Sequence, residues 1–216
     1  MTDIEQLFSL DKYLVQTKLL STKLTFYDGS GNVVLREAAG LFSGMKIEAA
    51  DGTTVYTITK DILSMPSVFK IHQGDKKGAV LGFIRFNFNI SMLFTGGKEI
   101  DILDANKNLL GKAVGDFFNY NFNIVDSSGA MAASITKSTS GELKERMSQA
   151  IHSTYEINIR SRSVPTNMVL GFAVVLEEVI RTTSQAQFGT GFGLGGIGGM
   201  GGLGGGFGGQ GGGINL

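Results

Sequence analysis

The chain has 216 residues and no net charge, because 19 Lys and Arg residues balance 19 Asp and Glu residues. This length is enough for one domain with a sizeable core, and the charge balance argues against a dedicated nucleic-acid binder, which carries a basic excess. The absence of cysteine excludes disulfides, thiolate metal sites and a thiol nucleophile. The N-terminal residues lack the apolar core of a signal peptide, so we expect a cytoplasmic protein.

The N-terminal residues 1–11 form a lead-in, and a long series of short strands and turns follows it. Alternating apolar and polar residues predict the strands, and Asp-Gly pairs such as Asp51-Gly52 predict hairpin turns between them. The predicted strands are Tyr13–Val15, Leu24–Tyr27, Asn32–Glu37, Met45–Ala49, Thr54–Thr59, Val68–His72, Ala79–Asn89, Glu99–Leu103, Leu109–Val114, Asn119–Val125, Ala130–Lys137 and Tyr155–Arg162. A polar stretch at 140–148 indicates one or two exposed helical turns.

The two halves of this strand region repeat each other. Asp28 lies 23 residues before Asp51, and Asp104 lies 22 residues before Asp126. The repetition predicts a duplicated half-barrel. Two curved half-sheets without long parallel crossovers can close on each other, which removes their exposed edges.

A segment near the end of this region is apolar on every side. From Met168 to Leu176 each residue is apolar or Gly, and Glu177 ends the run. The run is too short to span a bilayer, which needs about 20 apolar residues. Ser163 is suited to cap a helix and Pro165 to its first turn. We therefore predict a helix over residues 165–182, enclosed by the barrel, so that the barrel domain spans 12–183.

Together these elements define the fold class: mainly β, a closed antiparallel barrel of about twelve strands enclosing a hydrophobic C-terminal α-helix. The paired meanders, the G-D-F-F-x-x-x-F-x-I-x-D-x-x-G step from Gly115 to Gly129 and the closing apolar helix resemble the tubby C-terminal-like superfamily. This superfamily includes phospholipid scramblases and the plant LURP-one-related proteins. The resemblance implies a twelve-stranded barrel around a helix, and a non-catalytic protein that works at membranes or with partners.

Some scramblase features are missing. The stretch 161–167, before the helix, has no carboxylate where scramblases carry an acidic calcium-binding segment. A cysteine-rich palmitoylation stretch and a proline-rich N-terminal arm are also absent from the sequence. We therefore do not expect calcium-dependent scrambling.

Two Asp-led turns look like the start of a calcium loop, at Asp28 and at Asp104. An EF-hand loop needs Gly at its sixth position and Glu at its twelfth. Leu109 and Gly115 stand there in the second turn, so we interpret both as turns whose Asp bonds its own backbone. We predict no catalytic, cofactor-binding or metal-binding residue.

The histidines and one glycine motif also lack the context of a site. His72 and His152 have no second ligand at metal spacing, and we interpret them as strand or surface residues. The G-x-G-x-x-G match at Gly191, Gly193 and Gly196 lies in low-complexity sequence with no strand before it, so we interpret it as compositional.

Lys76 and Lys77 form the best small basic cluster, at a predicted hairpin tip. One interpretation is a lipid-headgroup site, and the other is a solvated turn.

The last segment, 184–216, has no charged residue and is rich in glycine, with 17 of the 32 Gly lying between Gly189 and the end. Glycine-rich chain behaves as a flexible coil, so we predict a disordered tail. Its Leu, Ile and Met residues recur with a period of three from Leu194 to Leu203. The alternative interpretation is that these side chains insert into a membrane or a partner's groove.

The leading functional hypothesis is association with membrane phospholipid, in a regulatory role, as a peripheral protein without enzymatic activity. The second hypothesis is a soluble protein-interaction scaffold, with the Gly-rich tail contacting the partner. Neither hypothesis involves a cofactor or nucleic acid, and the oligomeric state stays open. Since the net charge is zero, we expect weak lipid binding that depends on the tail and resists salt.

Overall fold

A computed structural model describes residues 4–18, 23–38, 44–61, 67–87, 98–116, 120–137 and 151–191. The chain divides into a compact unit, Met1–Thr183, and a second unit, Ser184–Leu216. In the second unit, the described part is the helical backbone of residues 184–191.

The predicted barrel is confirmed: twelve antiparallel strands of the described chain close on each other, and the first pairs with the last. The strands are β1 (Lys12–Lys18), β2 (Leu24–Tyr27), β3 (Val33–Ala38), β4 (Met45–Ala49), β5 (Thr54–Asp61), β6 (Val68–Gln73), β7 (Val80–Phe86), β8 (Lys98–Asp104), β9 (Leu109–Asp116), β10 (Asn121–Asp126), β11 (Met131–Lys137) and β12 (Ile151–Ile159). Every neighbouring pair in sequence is also a neighbour in the barrel. Closure leaves no edge of this twelve-stranded sheet open to other chains.

Two helices complete the described fold, α1 (Ile4–Leu7) and α2 (Thr166–Gly191). The hairpin turns after β2, β4, β6, β8 and β10 lie at one end of the barrel because the strands alternate in direction. The helix α2 follows β12 and therefore begins at this same end, which we call the turn end. Neither described helix is both long enough and apolar enough to cross a bilayer.

The enclosed helix is confirmed by burial on every side of the axis between Met168 and Leu176. Val169, Leu170 and Phe172 are all 0% exposed, although with 3.6 residues per turn the three point in different directions. The Phe172 ring meets Phe122 of β10 edge-on at 5.6 Å between centroids. Alternate residues of the strands supply the surrounding wall, as expected for strands with one buried face.

Glycine lets the helix lie close to part of this wall. A Cβ atom at Gly82 of β7 would lie 2.6 Å from Met168 Cε and 2.3 Å from the Leu103 carbonyl oxygen. At Gly111 of β9, a Cβ atom would lie 2.9 Å from Val164 Cγ2. All three distances are shorter than real Cβ contacts, so these two positions require Gly.

The helix and the last strand end at different places from those predicted. The helix runs to Gly191 rather than 182; the residues after Arg181 contain no Pro, and no Gly before Gly189, so nothing local stops it. The strand β12 ends at Ile159 rather than Arg162. It ends there because the N–H groups of Arg160 and Ser161 both donate to the Ala132 carbonyl, at 2.8 and 3.1 Å. The predicted helical turns at 140–148 lie outside the described residues.

The described part of the lead-in, residues 4–11, folds over the turn end. Leu7, Phe8 and Leu10 pack against the core, and the Tyr13 hydroxyl donates to the Leu7 carbonyl oxygen at 2.7 Å. The Arg162 guanidinium, just before α2, donates to the carbonyl oxygen of Ser9 at 2.6 Å. The first residues are therefore tied to both β1 and the start of the helix.

Candidate functional site: a basic groove on the outer barrel face

A groove of about 370 Å³ lies on the outer face of β6, β7 and β8. We call it the outer groove. Its lining combines apolar and charged side chains: Asp61, Val68, Lys70, Val80, Phe83, Arg85, Leu103 and Lys107. The volume falls in the range of small-molecule sites.

Strand register brings these residues together. Phe83 of β7 pairs with Lys70 of β6 on one side and with Leu103 of β8 on the other. Directly paired side chains share one face of a sheet. Although this face is the outer one, Phe83 is only 8% exposed and Leu103 4%. Together they form an apolar floor between cationic side chains.

The cations of the outer groove differ in how strongly they are already paired. Arg85 Nη2 lies 2.6 Å from Asp101 Oδ2, and Asp101 is only 5% exposed. Lys70 Nζ is 3.8 Å from Asp61 Oδ2, near the limit of an ion pair. Lys107 Nζ sits above the Phe83 ring, 5.8 Å from its centroid. Lys70 and Lys107 are thus the cations best placed to meet an anion.

Turn chemistry positions Lys107. Its backbone is left-handed, with φ of 67°, which non-Gly residues rarely adopt. The Asp104 carboxylate holds this turn: its Oδ1 accepts the N–H groups of Asn106 and Asn108, both at 2.8 Å. The Asn108 amide donates to Oδ2 at 3.0 Å. The pKa of Asp104 is lowered, first by this side-chain hydrogen bond from Asn108.

The predicted turn role of the two Asp-led loops is confirmed. Asp28 Oδ1 accepts the N–H groups of Ser30 and Asn32 at 2.9 and 2.8 Å. The Asn32 amide donates to Oδ2 at 2.9 Å, so the turn at Asp28 repeats the pattern at Asp104. Within the described residues, no cluster of His, Asp and Glu suits a metal ion.

The predicted pair Lys76 and Lys77 is exposed on the turn between β6 and β7, the strands that carry Lys70 and Arg85. The Lys77 N–H donates to Asp75 Oδ1 at 2.8 Å, which orders the turn. The headgroup role of the pair stays a prediction. The register partners Lys70 and Phe83, and Lys107 above the Phe83 ring, were not predicted, because the three residues are distant in sequence.

His72 lies on the outer face of the sheet. Its Nε2 atom lies 3.1 Å from Thr59 Oγ1, and Nδ1 lies 3.4 Å from the Gly78 carbonyl oxygen. The side chain is therefore engaged in hydrogen bonds between neighbouring strands and their turn, as interpreted. The side chain of His152 lies outside the described residues.

A second unpredicted feature is a polar cluster inside the barrel. Tyr120 stacks on Tyr155 at 5.8 Å between centroids, and its hydroxyl is hydrogen-bonded to Glu177, which is 7% exposed. Burial, and then the charge of Glu177, raises the pKa of Tyr155 well above its ordinary value. Burial also raises the pKa of Glu37, whose carboxylate accepts the Leu24 N–H at 3.3 Å.

The phenols of this cluster therefore stay protonated near neutral pH and can act as hydrogen-bond donors. The hydroxyls of Tyr56 and Tyr155 are fully buried and have no hydrogen-bond partner among the described residues. The sequence could have indicated that both tyrosines are buried, since each occupies an inward position in the alternating pattern of its strand. It could not have indicated that they face the same interior, which depends on the curvature of the barrel.

A barrel of twelve antiparallel strands closed around a C-terminal helix is the architecture of the tubby C-terminal-like superfamily, and this chain has that architecture. Within the superfamily, the chain belongs to the LURP-one-related family, whose family model matches residues 11–177. Most of the chain lies inside this match, including every residue that lines the outer groove.

Among solved structures, the chain resembles the X-ray structure of a protein from Arabidopsis thaliana. The two share 11% identity with a TM-score of 0.57, and the likeness covers 82% of this chain and 96% of the other. At this identity the likeness establishes the fold alone. Comparison with curated protein sequences gives no match.

Proposed function

We propose that this LURP-one-related barrel is a non-catalytic protein that associates peripherally with phospholipid at the cytoplasmic face of a membrane, through the outer groove. The observation that carries the proposal is an apolar floor containing Phe83 with two lysines at it: Lys70 pairs with Phe83 across the strands, and Lys107 Nζ lies above the Phe83 ring. A phospholipid joins an anionic phosphate to apolar chains. Its phosphate can therefore contact the lysines of the groove, and its chains can contact the apolar floor.

The charges of the groove support weak binding. A chain with no net charge gains little long-range attraction to an anionic surface. Each nearby Lys contributes about 1 kcal/mol at an anionic leaflet. Lys70, Lys107, Lys76 and Lys77 would together contribute about 4 kcal/mol, which corresponds to about millimolar affinity. Insertion of the apolar residues of the tail would add a component of binding that resists salt.

Co-sedimentation with vesicles tests the groove. Vesicles of phosphatidylcholine alone are compared with vesicles that also contain phosphatidylserine. For the variant Lys70→Gln/Lys107→Gln we expect roughly 30-fold weaker binding to the anionic vesicles, from the loss of two cations worth about 1 kcal/mol each. The matched control is Lys46→Gln/Lys137→Gln, which removes the same charge from β4 and β11, and should bind like the original protein. Lys76→Gln/Lys77→Gln tests the headgroup pair predicted from the sequence.

High salt and deletion of the tail distinguish binding through the groove from binding through the tail. Binding through the groove should weaken at high salt and persist when residues 192–216 are removed, because screening acts on exposed charges. Binding through the tail should persist at high salt and disappear with the deletion. Equal binding by the groove variant and its control would refute the groove as the contact. No binding by any form would favour the protein-interaction scaffold instead.

A further inference from the structure

An acid lines the outer groove together with the lysines. Asp61, the last residue of β5, lies there beside Val68, its register partner on β6. The Asp61 side chain is 38% exposed, and its Oδ2 atom is 3.8 Å from Lys70 Nζ. A carboxylate repels an approaching phosphate at short range. The position of Asp61 therefore restricts which anions fit the groove.

The contact between Asp61 and Lys70 is loose. An ion pair between two partly exposed side chains at 3.8 Å contributes little to stability, so the Lys70 ammonium can turn towards a ligand at small cost. The other acid beside the groove, Asp101, is only 5% exposed and lies 2.6 Å from Arg85 Nη2. A carboxylate accepts hydrogen bonds at both oxygens, so Asp61 can contact a cation of the ligand as well as Lys70.

The charges of the outer groove follow an order across the sheet. The strands β5, β6, β7 and β8 are successive neighbours. They carry Asp61, Lys70 and Phe83 in that order, and Lys107 follows on the turn after β8. Neighbouring strands are about 5 Å apart, so the acid and the first lysine start one strand spacing from each other. A complementary molecule has a cationic group about one such spacing from an anionic group.

We propose that the outer groove recognises a phospholipid headgroup whose primary ammonium lies two carbon atoms from the phosphate, as in phosphatidylethanolamine. The phosphate contacts Lys70 and Lys107, and the ammonium donates a hydrogen bond to the Asp61 carboxylate. This inference rests on the proposed membrane association and adds the headgroup that the groove selects. Phosphatidylglycerol brings no cation to Asp61, and the quaternary ammonium of phosphatidylcholine has no N–H group to donate.

Co-sedimentation of the full chain with two kinds of vesicle tests the inference. Both kinds contain the same fraction of phosphatidylglycerol, so their surface charge is equal. The remaining lipid is phosphatidylcholine in one kind, and an equal mixture of phosphatidylcholine and phosphatidylethanolamine in the other. We expect about two- to fivefold tighter binding to the vesicles with phosphatidylethanolamine, which is the size of one exposed ion pair.

Two variants make the test specific to the acid. Asp61→Asn should lose the preference for phosphatidylethanolamine, while its binding to the other vesicles stays equal or becomes tighter, because a negative charge has left the groove. A merely structural role of Asp61 would instead weaken binding to both kinds of vesicle. The matched control is Glu48→Gln, which removes a carboxylate 3.9 Å from Arg36, outside the groove, and should keep the preference. Circular dichroism checks that both variants are folded.

The headgroup inference is overturned, with membrane association intact, if the original protein binds both kinds of vesicle equally or if Asp61→Asn keeps the preference. Absence of binding to every vesicle would refute membrane association, and the headgroup inference with it. Phosphoethanolamine in solution, followed by ligand-observed NMR, distinguishes a lipid from a soluble ester. We expect it to bind more weakly than the vesicles, because it has no chains to contact the floor at Phe83. Its binding without any binding to vesicles would show that the groove takes a soluble phosphate ester instead of a lipid.

Discussion

At the scale of single residues, aspartates organise the turn end. In the turn after β10, Asp126 Oδ1 accepts the N–H groups of Ser128 and Ala130 at 2.9 and 3.0 Å, and the Ser128 hydroxyl at 2.6 Å. These bonds favour the ionised form: the pKa of Asp126 falls to about 2, first because of the Ser128 hydroxyl. The carboxylate replaces backbone partners that a tight turn cannot provide.

The first prediction follows from this lowered pKa. A carboxyl group whose pKa is lower in the folded state stabilises the fold above its unfolded pKa, and the contribution is lost as pH falls through the folded pKa. For Asp126 the loss lies between about pH 4 and pH 2. The variant Asp126→Asn should therefore be less stable than the original at neutral pH, and the difference should shrink as the pH falls to 2. Thermal unfolding followed by circular dichroism measures it.

Asp75→Asn is the control for this prediction. The Asp75 side chain accepts one hydrogen bond, from the Lys77 N–H at 2.8 Å, so its replacement should change the pH dependence less. If both variants show the same dependence on pH, the hydrogen bonds around Asp126 are not its source.

At the scale of elements, the fit between α2 and the barrel wall depends on small residues. Gly82 lies on a strand, and its added Cβ atom would meet the backbone oxygen of Leu103 at 2.3 Å. Gly171 lies within the helix, where an added Cβ atom would meet Ile71 Cδ1. Backbone held in a sheet cannot move aside, whereas the end of an Ile side chain can rotate away.

The second prediction compares alanine at these two positions. Gly82→Ala should destabilise the barrel by about 1–3 kcal/mol, because it overpacks a rigid wall. Gly171→Ala should change stability by less than about 1 kcal/mol, since the gain in helix propensity offsets the displacement of Ile71. Urea unfolding measures both. A Gly82→Ala variant as stable as the original would mean that the backbone of β7 and β8 can move apart to accept the methyl group.

At the scale of the whole molecule, the described core belongs to one compact unit. Its buried apolar residues run from Tyr13 to Val179, and the unit ends at Thr183. The twelve strands and the buried part of α2 therefore all lie before the Gly-rich segment.

The third prediction concerns removal of that segment. Deleting residues 192–216 should change the melting temperature by less than about 2 °C, because in a domain of this size a loss of 1 kcal/mol lowers it by about 2–4 °C. Glycine-rich chain without charges is expected to bury little surface. Differential scanning calorimetry of both forms provides the measurement. A fall of about 10 °C would show that the segment contributes to folding.

Much of the fold could be predicted from the local sequence pattern. The strands Leu24–Tyr27 and Met45–Ala49 were predicted with the observed bounds, because alternation and Asp-led turns act within a few residues. The all-apolar run from Met168 to Leu176 predicted the enclosed helix, since no face of it suits water. The predicted end of that helix, at 182, is wrong, because helix termination depends on Gly or Pro and the first such residue after Arg181 is Gly189.

The candidate binding site was harder to predict from the local sequence pattern. Lys76 and Lys77 stand out because they are adjacent in sequence. Lys70, Phe83 and Lys107 become neighbours only through the register of β6, β7 and β8. The period of each strand determines which residues share a face, but it does not determine which residues of different strands lie opposite each other.

The sequence by itself determined the number of strands, the Asp-led turns and the need to enclose the helix, because each depends on the chemistry of consecutive residues. The tertiary structure alone decided where the charged and polar groups meet. Curvature and register placed two lysines beside an apolar floor on the outside, and buried the hydroxyls of Tyr56 and Tyr155 inside the barrel. Such contacts join residues that are far apart along the chain, so only closure of the barrel brings them together.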